Sequence, residues 1–325
     1  MGKLCLSESM YRRIRENLER DHPELEVVRM QTDGTHEGDP RGTTIFCFSV
    51  DMTDTQESLL GALEVLSMDS LVWVQAPGAG MEHEMWARLL ERGVRLTSAA
   101  GVHAEPIAQY VFTYVLNDLR DVAGHRQRQA AGKWEPTVSD DLATKAIGVV
   151  GMGGIGTAVA RIAKAFGMHV LGLRRGPIKD PDVDERYGPE GLHELLARSD
   201  YVVLALPLTA TTEGLVGAEA LRAMKDTAVL INVARGPVVD EAALVASLRS
   251  RSIRAAVLDV FAKEPLEADS PLWGLDNCVV TPHDAGYSPL AGERLGELFV
   301  DNLSRFTAGM QLRNEVFEAG PDAAG

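Results

Sequence analysis

Three side chains of complementary chemistry stand just past apolar, strand-like runs. Arg235 follows Val229-Leu230-Ile231-Asn232 in the segment Asn232-Val233-Ala234-Arg235-Gly236. Glu264 follows Ala255–Leu258 within Asp259-Val260-Phe261-Ala262-Lys263-Glu264-Pro265, and His283 follows Val279-Val280-Thr281-Pro282. An arginine fork binds a carboxylate at two points. A histidine is the natural proton donor near neutral pH, and a glutamate beside it would stabilise the imidazolium and fix the ring. In open parallel sheets ligands collect at the carboxyl ends of strands, so the three can converge over one crevice. Singly, each has a plainer reading: Arg235 as a surface cap, Glu264 as a solvated loop charge, His283 as a turn residue. It is their common placement on strand ends that points to chemistry.

The segment that must position them carries a second signal. Gly151-Met152-Gly153-Gly154-Ile155-Gly156 follows the apolar run 146–150 and precedes an amphipathic helix pattern from Thr157 to Phe166, after which His169–Leu173 is again apolar. Strand, glycine turn, helix and strand form one βαβ unit of the dinucleotide-binding kind. Gly151 allows the tight turn, Gly153 lets backbone approach a pyrophosphate, and Gly156 lets helix and sheet pack closely. The helix N-terminus, with Gly154 and Ile155 in its first turn, aims free N–H groups at phosphate. A carboxylate is expected about 20 residues past the turn, on the adenosine ribose 2′-hydroxyl. Arg174-Arg175 stand there instead. Two arginines suit a 2′-phosphate, which favours NADP(H), with NAD(H) the other candidate if Arg174 merely stacks on adenine. With a nicotinamide, the three strand-end residues suffice to reduce a 2-keto acid to a 2-hydroxy acid.

Around this unit, strand and helix patterns alternate. Before it come strand patterns at Leu4–Leu6, Leu25–Met30, Thr43–Val50, Leu71–Gln75 and Val94–Leu96. Helix patterns lie at Met10–Arg20, Glu57–Leu66 and Met81–Arg92, and Gln31–Gly42 reads as a polar loop. This is a small parallel-sheet domain of its own. Ala104–Arg120 reads as a long apolar helix and 126–136 as polar. Strands follow at Tyr201–Ala205, Ala228–Asn232, Ala255–Leu258 and Cys278–Val280, with a helix at Glu241–Arg249. A last amphipathic helix, Pro289–Phe306, is placed to return to the first domain, and Glu318–Gly325 is expected to fray.

At 325 residues with 45% hydrophobic content, the chain has room for two domains with full cores. Its 32 basic against 47 acidic residues leave a formal net charge of −15, which argues against nonspecific binding to nucleic acid or an anionic membrane. Cys5, Cys47 and Cys278 lack metal-ligand spacing, so no metal is expected, and buried free thiols in a reducing compartment are. No leader pattern, lipidation pattern or membrane-length apolar run is present. A soluble cytoplasmic protein is the expectation.

Taken together, the motifs resemble the D-isomer-specific 2-hydroxyacid dehydrogenases, glyoxylate/hydroxypyruvate reductases included, over nearly the whole length. The matching segments are 151–156, Leu206-Pro207-Leu208-Thr209, 231–236, Leu258-Asp259-Val260-Phe261 with Glu264-Pro265, and Thr281-Pro282-His283, with Gly78-Ala79-Gly80 similar to the family's substrate loop. The resemblance implies an α/β protein of two doubly wound parallel-sheet domains. A Rossmann cofactor domain, 100–289, would be inserted into a flavodoxin-like substrate domain, 1–99 and 290–325. It implies Arg235 as the substrate-binding arginine, His283 as acid/base and Glu264 as its partner. Gly78, Ala79 and Gly80 would bind the substrate carboxylate. Leu206, Pro207, Val233, Ala234, Arg235, Asp259, His283 and Gly286 join the glycine turn and Arg174-Arg175 on the cofactor, and Arg235 and His283 also meet the substrate. A homodimer through the cofactor domain, with the 104–120 region in the contact, is also implied. Gln109 and Asp284-Ala285 depart from the family pattern, and the direction of Asp284, His83 and His103 is left open. A dinucleotide-sensing corepressor of the same fold is the competing reading, since such relatives can keep the same three residues. Glu264 argues against the formate dehydrogenases of this group, which lack the glutamate.

Overall fold

The computed structural model describes residues 2–317, so the tail at Glu318–Gly325 lies outside the described residues. The chain forms two compact units, Met1–His103 with Tyr287–Gly325 and, between them in sequence, Ala104–Gly286. Both are α/β units built on seven-stranded sheets.

In the first unit the order is β1 (Lys3–Ser7), α1 (Glu8–Asp21), β2 (Glu26–Met30), β3 (His36–Glu37), β4 (Ile45–Cys47), α2 (Gln56–Leu66), β5 (Trp73–Gln75), α3 (Glu84–Glu91) and β6 (Arg95–Thr97). The parallel strands run β2-β1-β4-β5-β6, the flavodoxin-like order. Antiparallel strands cap both edges, β3 on β2 and a late strand on β6. β3 lies inside the segment expected to be all loop: the turn 31–35 folds back, with Gln31 N–H donating to the Thr35 carbonyl. The long strand expected over Thr43–Val50 is shorter. Only Ile45–Cys47 joins the ladder, because the chain turns into a 3₁₀ segment at Val50, which is 41% exposed. Helix α3 starts later than its apolar pattern, capped by His83, whose Nδ1 accepts from the Met85 N–H at 3.1 Å. Cys5 and Cys47 are buried, as expected. Cys278, in the second unit, is only half-buried, because it opens an edge strand.

The second unit holds α4 (Ala104–Leu119), α5 (Val122–Ala130), β7 (Ala146–Val150), α6 (Gly154–Ala165), β8 (His169–Leu173), β9 (Glu185–Tyr187), α7 (Leu192–Arg198), β10 (Tyr201–Leu204), α8 (Ala218–Ala223), β11 (Val229–Asn232), α9 (Glu241–Ser250), β12 (Ala255–Leu258) and β13 (Cys278–Val280). All seven strands are parallel, in the order β9-β8-β7-β10-β11-β12-β13. This is the Rossmann order with a seventh strand at one edge. Apolar layers cover both faces of the sheet, which is why its strands read as continuous apolar runs.

After the second unit the chain returns as α10 (Ala291–Thr307) and the edge strand β14 (Glu315–Val316). The apolar face of α10 packs in the first unit. Phe299 stacks on Trp73 with ring centroids 5.1 Å apart, and a Cβ at Gly296 would lie 2.7 Å from the Ile14 side chain, so α10 and α1 touch closely there. Among the described residues no helix is long and apolar enough to cross a membrane. Phe299 is fully buried; Phe299→Ala should therefore lower folding stability by about 3–5 kcal/mol, read from urea denaturation, and a loss below about 1 kcal/mol would show that the returning helix does not anchor the first unit.

Candidate active site

The strand-end loops of the second unit are drawn together by two kinds of contact. Backbone packs against backbone at Gly236, where an added Cβ would fall 1.8 Å from the carbonyl carbon of Phe261. The turn carrying Arg235 is thus pressed on the loop carrying Glu264. Asn232 shapes that turn, its Oδ1 accepting from the Ala234 N–H at 3.1 Å and its Nδ2 donating to the Arg235 carbonyl at 3.2 Å. Arg235 lies half-buried, with Nη1 donating to the Ala234 carbonyl at 2.8 Å.

The second contact is polar. Asp259 is 2% exposed. Its Oδ1 accepts from the Thr281 hydroxyl at 2.7 Å and the Asp284 N–H at 3.1 Å, and its Oδ2 from the Ala285 N–H at 3.1 Å. Burial pushes its carboxyl above the ordinary range, against the opposing pull of these donors. Tyr110 extends the chain of bonds, its hydroxyl 2.6 Å from the Thr281 Oγ1. Sequence reasoning missed this tyrosine, because α4 carries several other polar-tipped side chains, Gln109, Thr113 and Tyr114 among them, and nothing local singles it out. Asp259, expected on the nicotinamide side, thus has both oxygens engaged in holding the 281–285 turn.

That turn puts His283 in the left-handed region, φ +56°, and aims its Nδ1 at Glu264 Oε2, 2.7 Å away. With an ionised carboxylate as acceptor, Nδ1 carries the proton that is donated. The other Glu264 oxygen accepts from the Phe261 N–H at 3.0 Å, so the carboxylate is fixed from its own loop. His283 is 48% exposed in its side chain. Asp284 is exposed and gives its N–H to Asp259. The Tyr114 hydroxyl is pushed up by burial first and then by the charge of Asp284.

The glycine turn fits a dinucleotide. Gly151 has φ +105°, and an added Cβ there would sit 2.5 Å from the Ala205 carbonyl oxygen, close to Leu206. At Gly156 an added Cβ would meet the Gly151 carbonyl oxygen at 2.1 Å. Nothing lies within 4 Å of a Cβ at Gly153, leaving an open cradle at the N-terminus of the 12-residue α6, where Gly154 and Ile155 begin the helix. Pro207 is exposed beyond β10, Val233 and Ala234 are buried under the Arg235 turn, and Gly286 is half-buried after the histidine turn. Arg174 and Arg175 are exposed at the end of β8, on a pocket of about 340 Å³ that Arg186 and Tyr187 also line. In the first unit, Gly78, Ala79 and Gly80 form the loop after β5, the Gly78 carbonyl accepting from the Ala99 N–H at 2.8 Å. His103 lies half-buried just before α4.

Residues 112–285 match the family model of the D-isomer specific 2-hydroxyacid dehydrogenase NAD binding domain. The chain belongs to this family. It is an oxidoreductase of the NAD(P)-dependent 2-hydroxyacid dehydrogenase type. It is 39% identical over 236 residues to glyoxylate/hydroxypyruvate reductase B of Yersinia enterocolitica, covering 70% of this chain and 72% of that one. Among solved structures it resembles a D-isomer specific 2-hydroxyacid dehydrogenase from Xanthobacter autotrophicus in complex with NADPH and MES. That likeness has 33% identity, 97% coverage of both chains and a TM-score of 0.77. The NADPH-dependent glyoxylate/hydroxypyruvate reductase of Sinorhizobium meliloti, in complex with NADP and sulfate, is 26% identical, with 97% of this chain and 98% of that one covered and a TM-score of 0.77.

Asp259→Asn would replace one acceptor oxygen by an amide NH₂ facing a donor. The expected result is a loss of about 1–3 kcal/mol of stability, with faster hydrogen exchange at the Asp284 and Ala285 amides. A variant as stable and as protected as the parent would show that the carboxylate does not hold the turn.

Proposed function

We propose that this family member reduces a small 2-keto acid of the glyoxylate/hydroxypyruvate type, or a longer homologue, to the D-2-hydroxy acid with NADPH. The observation that carries the proposal is the 2.7 Å His283–Glu264 pair standing at strand ends of a dinucleotide-type unit. The named activity of the Yersinia relative and the cofactors bound to the Xanthobacter and Sinorhizobium proteins support the substrate class and NADP(H). The arginine pair where a carboxylate would select NAD(H) supports the same choice.

The nicotinamide, when bound, supplies the hydride. In this reading Arg235 binds the substrate carboxylate and orients the keto group, and backbone N–H groups of Gly78, Ala79 and Gly80 bind that carboxylate as well. His283 gives the Nε2 proton to the oxygen that becomes the hydroxyl. Glu264 accepts from the Nδ1–H of His283, which keeps the ring oriented for the transfer from Nε2. Gly151, Gly153, Gly154, Ile155 and Gly156 receive the pyrophosphate. Leu206, Pro207, Val233, Ala234, Asp259 and Gly286 belong to the wall along the nicotinamide half, and Arg174 and Arg175 take the 2′-phosphate.

The same proposal assigns 100–289 to the cofactor domain and 1–99 with 290–325 to the substrate domain. It includes a cytoplasmic location, in keeping with the three free thiols. It also includes a homodimer through the cofactor domain. Trp134 and Val138, at 95% and 102% exposure, are apolar surface that a second copy would cover; sedimentation should read twice the chain mass.

Arg235→Ala and His283→Ala should each lower kcat by about 10²-fold or more, while NADPH binding, followed by its fluorescence, stays within about twofold of the parent. Near-normal turnover in either would refute its role. Across a panel of 2-keto acids, kcat/KM should be higher with NADPH than with NADH, and Arg174→Asp should reverse that order; an NADH preference in the parent overturns the cofactor assignment.

A further inference from the structure

β9 has no apolar alternation and stands at the edge of its sheet, yet it governs the segment that carries the arginine pair. Beyond β8, residues 174–180 have no regular secondary structure, and a Cβ at Gly176 would meet nothing within 4 Å. Left to itself such a segment samples many conformations. Three attachments restrain it. The Ile178 side chain packs against the core of the second unit. The Arg174 N–H donates to the Tyr187 carbonyl on β9 at 3.1 Å. Arg186, opposite Gly172 in the β8–β9 register, donates from Nε to the Ile178 carbonyl at 3.0 Å and from Nη2 to the Asp180 carbonyl at 2.8 Å. One planar fork thus closes the loop at two points, a geometry that an ammonium on a flexible stem does not reproduce.

The charge pattern points the same way. Arg174, Arg175 and Arg186 line one pocket of about 340 Å³. The neighbouring carboxylate on β9, Glu185, is engaged elsewhere, with Arg198 and His169. Three guanidinium groups around one concavity repel one another, and an anion between them relieves that repulsion. Arg186 directs two of its donors to loop carbonyls, so its part is to hold the loop while Arg174 and Arg175 face the anion.

We propose that Arg186 is a positioning residue for 2′-phosphate recognition, clasping the 174–180 loop so that Arg174 and Arg175 stand where the phosphate arrives. The proposal rests on the NADP(H) reading above. Its test is calorimetric titration of the full-length protein with adenosine 2′,5′-bisphosphate and with adenosine 5′-monophosphate, which differ only in the 2′-phosphate. In Arg186→Met the bisphosphate should bind on the order of tenfold more weakly while the monophosphate stays within about twofold. Arg186→Lys, which keeps the charge and loses the fork, should remain several-fold weaker than the parent. Parent-like bisphosphate binding in Arg186→Met, full recovery in Arg186→Lys, or an equal loss for both nucleotides would each overturn the proposal. A parent protein that binds the two nucleotides equally would instead sink the NADP(H) reading on which it stands.

Discussion

The carboxylate of Asp259 ties the end of one strand to the turn beyond the next, and the candidate site depends on that knot. Two parallel strands emerging side by side do not oblige their loops to meet. Here a buried acceptor at the end of β12 takes a hydroxyl from Thr281 and backbone N–H groups from Asp284 and Ala285, which bracket His283. Burying a carboxylate is costly, and the three donors offset that cost only if the turn keeps its shape. The histidine therefore inherits its orientation from a residue that it does not touch through its own ring. Glu264 adds the final constraint from the same β12 loop, so both fixed points of the imidazole belong to one element.

Close packing does for the arginine turn what polar bonding does for the histidine turn. At Gly236 the backbone of one loop occupies the space that a side chain would fill against Phe261, and at Gly151 the same holds against Ala205. Strand ends on both sides of the sheet's switch point are thereby held at backbone distance, β11 against β12 and β7 against β10. The region between them is left to be shaped by Gly153, where nothing stands in the way. The second unit is dense where strands must be bound together and empty where a pyrophosphate would lie.

Much of this was legible in the chain, for physical reasons. Strands covered on both faces leave continuous apolar runs, and a glycine turn between two of them marks a dinucleotide-binding unit, so the topology and the strand-end placement of Arg235, Glu264 and His283 could be read from position alone. The misses share a cause. β9, with the sequence Glu-Arg-Tyr, pairs because β8 presents an unpaired edge and because Glu185, Tyr187 and Arg198 bond across it; no local pattern announces that. α5 buries no side chain and leaves no apolar stripe to read. The overlong strand at Thr43–Val50 shows the converse: Phe48 and Ser49 are buried without being in the ladder, and burial was what the apolar run reported. The bonds of Asp259 and Arg186 run to backbone groups, whose availability a sequence does not state.

The left-handed backbone of His283, φ +56°, sets two demands on this position at odds. An L residue with a full side chain pays a conformational cost of roughly 1 kcal/mol or more there, which glycine avoids and asparagine lessens. A chain selected only for thermal robustness would drift toward those residues at this position. Under the proton-donor role proposed for His283, keeping the imidazole in place means living with a strained joint, so durability and turnover would compete at a single residue.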